Sequence, residues 1–229
     1  RFFEPRVSEE FYDNLTDFDN VHNLISKPEH QQRIAALKAE MRKRQLELRD
    51  SGLLPEVMRE RRAAANKITI YEMVRNEQLY PLATYLDAAD RALERDKKHL
   101  NMFLDQLADS DEGLRWWAVV GLHLLDQEAA LAKDSLVNAL IDVTPEIRMM
   151  AAWTLVNLGH KKEKALASLE TLLASKDTPQ TNTRLLHNIL DWMGDPALPL
   201  VKKYIENGGN RQGRYGIGVL GRIAQQNGW

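Results

Sequence analysis

Past Pro81 the apolar residues fall at helical spacing in segments of about ten to fifteen residues, with no alternating strand pattern between them and Asp/Thr/Pro turns at the joins. The segments repeat. Leu114-Arg115-Trp116-Trp117-Ala118 aligns on Ile147-Arg148-Met149-Met150-Ala151 at an offset of 33, which also carries Leu122 to Leu155 and Leu125 to Leu158. Offsets of 35 and then 30 carry Leu155 to Leu190 and Leu220, and Leu158 to Met193 and Ile223, which predicts four equivalent helices. Partner helices between them are marked by Leu100/Leu104/Leu107, Leu136/Leu140, Leu166/Leu169/Leu173 and Leu198/Val201/Ile205. A helix pair of this length cannot bury its stripe alone, so successive pairs stack into a right-handed or nearly straight solenoid with terminal pairs as caps. Asp142-Val143-Thr144-Pro145 and Asp177-Thr178-Pro179 each place a hydroxyl cap before a Pro at the first helical position. The last pair, Asp195 to Trp229, carries Gly208, Gly209, Gly213, Gly216, Gly218 and Gly221. Each interior Gly costs roughly 0.5–1 kcal/mol relative to Ala, so this end is expected to fray.

The amino-terminal part reads differently. Phe2, Phe3, Phe11, Tyr12 and Phe18 alternate with acids and Asn; Glu10-Phe11-Tyr12-Asp13 predicts one short strand and Asn14 to Asn23 a turn-rich loop. A long helix follows, announced by Ser26 and Glu29 as a capping box with Pro28 in the first turn. Ile34, Leu37, Met41 and Leu48 keep helical spacing, and Ser51-Gly52 offers a left-handed exit. Short helices open at Pro55 and at Thr69, where Glu72 completes a second capping box. The expected divisions are 1–52 (strand, loop, long helix), 53–78 (helical connector) and 79–229 (repeats). The expected fold class is all-α: an α-solenoid of stacked helix pairs preceded by a short strand/loop segment and a long helix.

Composition narrows the functions. With 229 residues, 44% hydrophobic and 28% charged, the chain can bury one or two cores and is not disordered. A net charge of -2, from 31 Lys plus Arg and 33 Asp plus Glu, lacks the basic excess of a nucleic-acid binder. No stretch approaches the ~20 apolar residues of a membrane span, so neither nucleic acid nor membrane is an expected partner. Without cysteine there is no disulfide, thiolate nucleophile or Cys-based zinc site. The start at Arg1-Phe2-Phe3-Glu4-Pro5, with no Met and no signal pattern, reads as a segment of a longer chain.

Chemistry is sparse. Asp13, Asp17 and Asp19 lack EF-hand spacing and read as a turn-forming acidic loop. The six histidines show no ligand spacing, there is no Gly-x-Ser-x-Gly, and Gly213-x-x-Gly216-x-Gly218 falls in a terminal helix rather than after a strand. No catalytic, cofactor or metal residue is assigned. Residues 33–67 hold ten Lys/Arg against five acids, centred on Arg42, Lys43 and Arg44. This is either a guide for a polyanion such as a sulfated glycan or a solvated helix face. Trp116, Trp117, Trp153 and Trp192 lie on repeat helices and are expected in core or inter-repeat packing. One of the adjacent pair Trp116 and Trp117 must face outward; exposed beside Arg115 and Arg148, it would stack on a sugar ring or anchor a partner.

Two resemblances follow from these residues. Residues 79–229 resemble HEAT-like repeats, through Arg148-x-x-Ala151-Ala152-x-x-Leu155-x-x-Leu158-Gly159 and Arg214 to Ile223, which implies a scaffold with a concave surface. Glu9-Glu10-Phe11-Tyr12-Asp13-Asn14-Leu15-Thr16-Asp17-Phe18-Asp19-Asn20-Val21-His22-Asn23-Leu24 resembles a segment near the end of the catalytic region of sulfatases, and Arg49 to Glu56 extends the likeness toward heparan-sulfamidase-like bacterial members with a helical-repeat tail. Asn14, Phe18 and Asn20 depart from that pattern. The resemblance implies a parent with formylglycine and calcium in an upstream catalytic domain, a periplasmic or secreted location, and a segment without sulfatase activity of its own. The chain then reads as the non-catalytic carboxy-terminal scaffold of a sulfatase-like hydrolase, partnered by its missing catalytic domain or by self-association. The alternative is a stand-alone HEAT-type adaptor that binds protein partners.

Overall fold

Helical spacing becomes helix wherever a second apolar face lies within reach. The computed structural model describes residues 7–175 and 180–206, and the chain divides into two units, Arg1–Asp50 and Ser51–Trp229. Every regular element among the described residues is helical.

In the first unit the strand expected at Glu10–Asp13 does not form. A lone extended segment has no ladder to join; instead Phe11 O accepts the Leu24 amide at 2.7 Å, and the Phe11 amide donates to Asn23 Oδ1 at 3.0 Å. The loop between is organised by carboxylates. Asp13 accepts from Leu15 N and Thr16 Oγ1, and Asp17 accepts from Val21 N (3.0 Å) and His22 N (2.7 Å). The His22 and Val21 amides hold the Asp17 carboxyl below its usual range. The Ser26 cap is also corrected: the chain enters through a 3-10 turn, Pro28–His30, whose cap residue is Lys27 and carries no side-chain cap bond. The short turn closes His30 N on Lys27 O, which leaves Ser26 one residue too early. Helix α1 (Gln31–Leu48) buries Ile34 while Leu37, Met41 and Leu48 are exposed. It ends at Arg49 (φ 58), not at Ser51-Gly52, because Asp50 N closes on Gln45 O and Gln45 Nε2 on Asp50 Oδ2.

The second unit opens with α2 (Glu56–Ala65) and α3 (Ile70–Met73), which starts on the expected Thr69/Glu72 capping box. Four helix pairs follow: α4 (Leu82–Glu94) with α5 (Leu100–Gln106), α6 (Glu112–Leu124) with α7 (Lys133–Ala139), α8 (Pro145–Asn157) with α9 (Lys162–Ala174), and α10 (Gln180–Met193) with α11 (Leu198–Glu206). Helices α4, α6, α8 and α10 pack in succession as one layer, with α5 set against α6, α7 and α9 against α8, and α11 against α9. This is the predicted α-solenoid. Leu122, Leu155 and Leu190 are buried at matching positions, as are Leu125, Leu158 and Met193. The fourth members, Leu220 and Ile223, lie outside the described residues. So do the Thr178-Pro179 turn, the glycine-rich segment, Phe2 and Phe3.

Two glycines let α6 approach its neighbours. A Cβ at Gly113 would sit 2.6 Å from the Tyr85 ring, and one at Gly121 2.5 Å from the Phe103 ring. Both rings are fully buried, so neither has room to retreat.

Candidate functional site

Helix α2 puts Glu56, Arg61 and Arg62 opposite charges on the first layer. Arg61 reaches Glu112 at 3.1 Å and Glu146 at 3.2 Å, while Arg62 reaches Glu112 at 3.3 Å and Asp111 at 3.4 Å. Glu56 meets Arg184 of α10 at 3.0 Å. Val57 and Met58 are buried beneath, and Trp117 Nε1 donates to Leu53 O at 2.9 Å. One helix therefore spans three repeats.

The network is closed on itself. Arg62 Nη1 donates to Leu79 O (2.7 Å) and Tyr85 Oη (2.6 Å), and the Tyr85 hydroxyl donates to Asp111. Burial pushes the Tyr85 hydroxyl pKa up, so it remains a donor. Burial disfavours the charge on Arg61 and Arg62, yet Glu146 for the first and Tyr85, Asp111 and Glu112 for the second outweigh it and raise both pKa values. Glu146 is wholly buried, a position tolerable for a carboxylate only beside a cation. An open cleft of about 350 Å³ lies against this network, lined by Arg62, Gln78, Leu79, Ser110, Asp111, Glu112, Arg115, Val143 and Thr144.

Arg115 stands in that lining and is committed to structure. It forks onto Asp142 at 2.8 and 3.1 Å and donates to Asp109 O and Ser110 O, tying α6 to the following turn. Thr144 precedes Pro145 as predicted, but its hydroxyl makes no cap: it donates to Glu112 Oε2 at 3.2 Å, a charged acceptor. Trp116 is half-buried against the core and Trp117 half-buried through its bond to Leu53, so neither of the pair stands exposed. Arg148 is half-buried, and its Nε has no hydrogen-bond partner among the described residues. Arg42, Lys43 and Arg44 lie on α1 in the other unit, where Lys43 pairs with Glu47 and Arg44 with Glu40 and Glu47 along the helix.

Among the described residues the exposed tryptophan is Trp192, at 60%. Its ring stacks on Trp153 (centroids 5.3 Å, 23°), and the His123 ring lies 4.0 Å from that of Trp153. Burial holds His123 down at about 4, so it is neutral at pH 7, with Nδ1 3.2 Å from Thr154 Oγ1. This row shares helix faces with the α2 network: Glu112 with His123, Glu146 with Trp153 and Asn157, Arg184 with Asn188 and Trp192. Sequence reasoning missed Glu112 and Glu146 because acids in a first helical turn are ordinary, and at the offset of 33 Glu112 falls on Pro145 and Glu146 on Gly113, so the repeat carried no signal for them. Among the described residues no group of three or more His, Asp or Glu converges on a metal position, and no helix is long and apolar enough to cross a membrane.

Residues 100–189 match the family HEAT repeats. The paired layers around them are accordingly a HEAT-like all-α solenoid. No curated protein and no solved structure matches the chain.

Proposed function

We propose that the chain is a non-catalytic helical-repeat scaffold that holds another polypeptide, either a different protein or a second copy of itself. The observation that supports this reading is α2: one helix laid across α6, α8 and α10, gripped by ion pairs at both ends and by Val57 and Met58 beneath. Surfaces that seat one helix in this way suit helix recognition in general. Ile141 and Val143, 82% and 87% exposed on the α7–α8 turn, offer apolar anchors, Val143 at the cleft that Arg62 of α2 also lines. Photo-cross-linking from those two positions in native extract, followed by reconstitution with the purified cross-linked protein, tests the reading. A complex of fixed stoichiometry that Val143→Asp weakens supports it. A chain that stays solitary throughout overturns it.

A second reading rests on the sequence resemblance at residues 9–24 and 49–56. Here the scaffold is the carboxy-terminal region of a sulfatase-like hydrolase acting on sulfated glycans, in an exported protein whose catalytic domain supplies formylglycine and calcium. Reading the coding frame upstream of Arg1 tests it: an in-frame C/S-x-P-S/A-R motif sustains it, and a nearby initiator Met removes it.

A further inference from the structure

Donors and acceptors do not balance in the cleft beside α2. We propose, on the basis of the scaffold reading, that this cleft receives a lysine side chain of the polypeptide partner, with its ammonium on Asp111 Oδ2 and its stem between Leu79 and Val143.

The guanidinium donors are almost all spent. Arg115 gives Nε and Nη2 to Asp142, Nη1 to Asp109 O and Ser110 O, and the second Nη2 proton to Thr144 Oγ1. Arg62 gives Nε and Nη2 to Glu112 Oε1, and Nη1 to Leu79 O and Tyr85 Oη. A ligand carboxylate would find one guanidinium proton in the lining, on Arg62 Nη2.

The acceptors are not spent. Asp111 Oδ1 takes the Gly113 and Leu114 amides at 2.7 and 3.1 Å, which caps α6. Tyr85 has a single hydroxyl proton, 2.8 Å from Oδ1 and 2.9 Å from Oδ2. Arg62 Nη1 stands 3.4 Å from Oδ2, but its two protons go to Leu79 O and Tyr85 Oη. Oδ2 therefore keeps an open lone pair, on a carboxylate that is 26% exposed and lines the cleft. Ser110 and Gln78, exposed in the same lining, add a hydroxyl and an amide oxygen.

Charge and shape point the same way. In the bonded network Arg61, Arg62 and Arg115 face Asp111, Glu112, Asp142 and Glu146, so one negative charge is in excess and a cation is favoured. Half-buried Leu79 and exposed Val143 are the apolar members of the lining, and lysine lays its methylenes along such surface while its head group stays in polar contact. An arginine fork asks for both oxygens of a carboxylate, and Oδ1 of Asp111 is taken. A volume of about 350 Å³ is near the lower end for ligand sites and suits one side chain of a larger partner.

The test titrates the full, isotope-labelled chain with the blocked peptide acetyl-Ala-Ala-Lys-Ala-Ala-amide and follows the Val143 methyls and the Ser110 and Asp111 amides by NMR. These signals should shift saturably, and the same peptide with an acetylated lysine should not shift them. Asp111→Asn removes the charge while keeping a side chain that caps a helix equally well, and should weaken binding roughly tenfold or more. Ser110→Lys, at an exposed position, fills the cleft with an ammonium of its own and should abolish binding with Tm unchanged; it decides the matter if Asp111→Asn fails to fold. No saturable shift, equal binding of the acetylated peptide, or binding that survives Ser110→Lys overturns the proposal. If the peptide fails while cross-linking from Ile141 and Val143 still yields a complex of fixed stoichiometry, the lysine site falls and the scaffold reading stands.

Discussion

Replacing Arg61 by Ala strands a carboxylate. Glu146 has no exposed surface, and Arg61 is the one cation bonded to it among the described residues, at 3.2 and 3.4 Å to its two oxygens. Removing one partner of a fully buried ion pair costs about 3–5 kcal/mol, and less here, because Arg61 is itself 39% exposed and its loss lets water toward the survivor. Glu146 sits in the first turn of α8, whose dipole returns up to about 1 kcal/mol, so the expected loss is about 2–4 kcal/mol. For a unit of this size that lowers Tm by roughly 5–15 °C. Urea unfolding at pH 7.5 measures the loss, and the indole N–H of Trp117, bonded to Leu53 O just before α2, should exchange faster with solvent. Adding Glu146→Gln removes the stranded charge, so the double variant should be more stable than Arg61→Ala alone. A loss below about 0.5 kcal/mol, the scale of an ordinary surface change, would refute the buried-pair reasoning. So would a double variant no better than the single one.

Gly121→Ala forces a methyl into the Phe103 ring and should cost about 1–3 kcal/mol by chemical denaturation, while Gly159→Ala meets no atom within 4 Å and tests backbone strain alone at φ 62. Leu155→Ala, in the middle of the repeat core, should cost about 2–5 kcal/mol and lower the unfolding midpoint without changing its cooperativity. His123 is held near 4 by burial while the unfolded chain protonates near 6.5. The stability it contributes is therefore complete above pH 6.5 and lost as pH falls toward 4, and NMR of the ring should show it neutral at pH 5.5. Thr69→Ala removes the hydroxyl that accepts from Glu72 N, leaves the Thr69 amide bonded to the Glu72 carboxylate, and should cost about 1 kcal/mol by chemical denaturation.

The repeats were legible because burial follows one rule in each: Leu122, Leu155 and Leu190 recur where the helices must bury an apolar face, and periodicity reports that directly. Local capping was legible at Thr69, whose partner Glu72 is three residues away. It misled at Ser26 and Thr144, where the hydroxyl is available but a 3-10 turn or a charged acceptor takes precedence. Partners distant in sequence could not be read at all. Arg61 meets Glu146 across 85 residues, and Arg115 meets Asp142 across 27. Hence Arg115 looked like a surface ligand although it ties two repeats together. Helical spacing places Trp192 in inter-repeat packing, and its stack on Trp153 is that contact, but spacing does not report whether the rest of the ring is covered.

Helix α2 lies across the repeat layer with Glu56 against Arg184. Glu56→Cys with Arg184→Cys in this cysteine-free chain measures it directly, using a short bismaleimide and mass spectrometry of the monomer. The structure predicts an intramolecular bridge between the two positions. Two fully reactive thiols that never bridge within one molecule would contradict it.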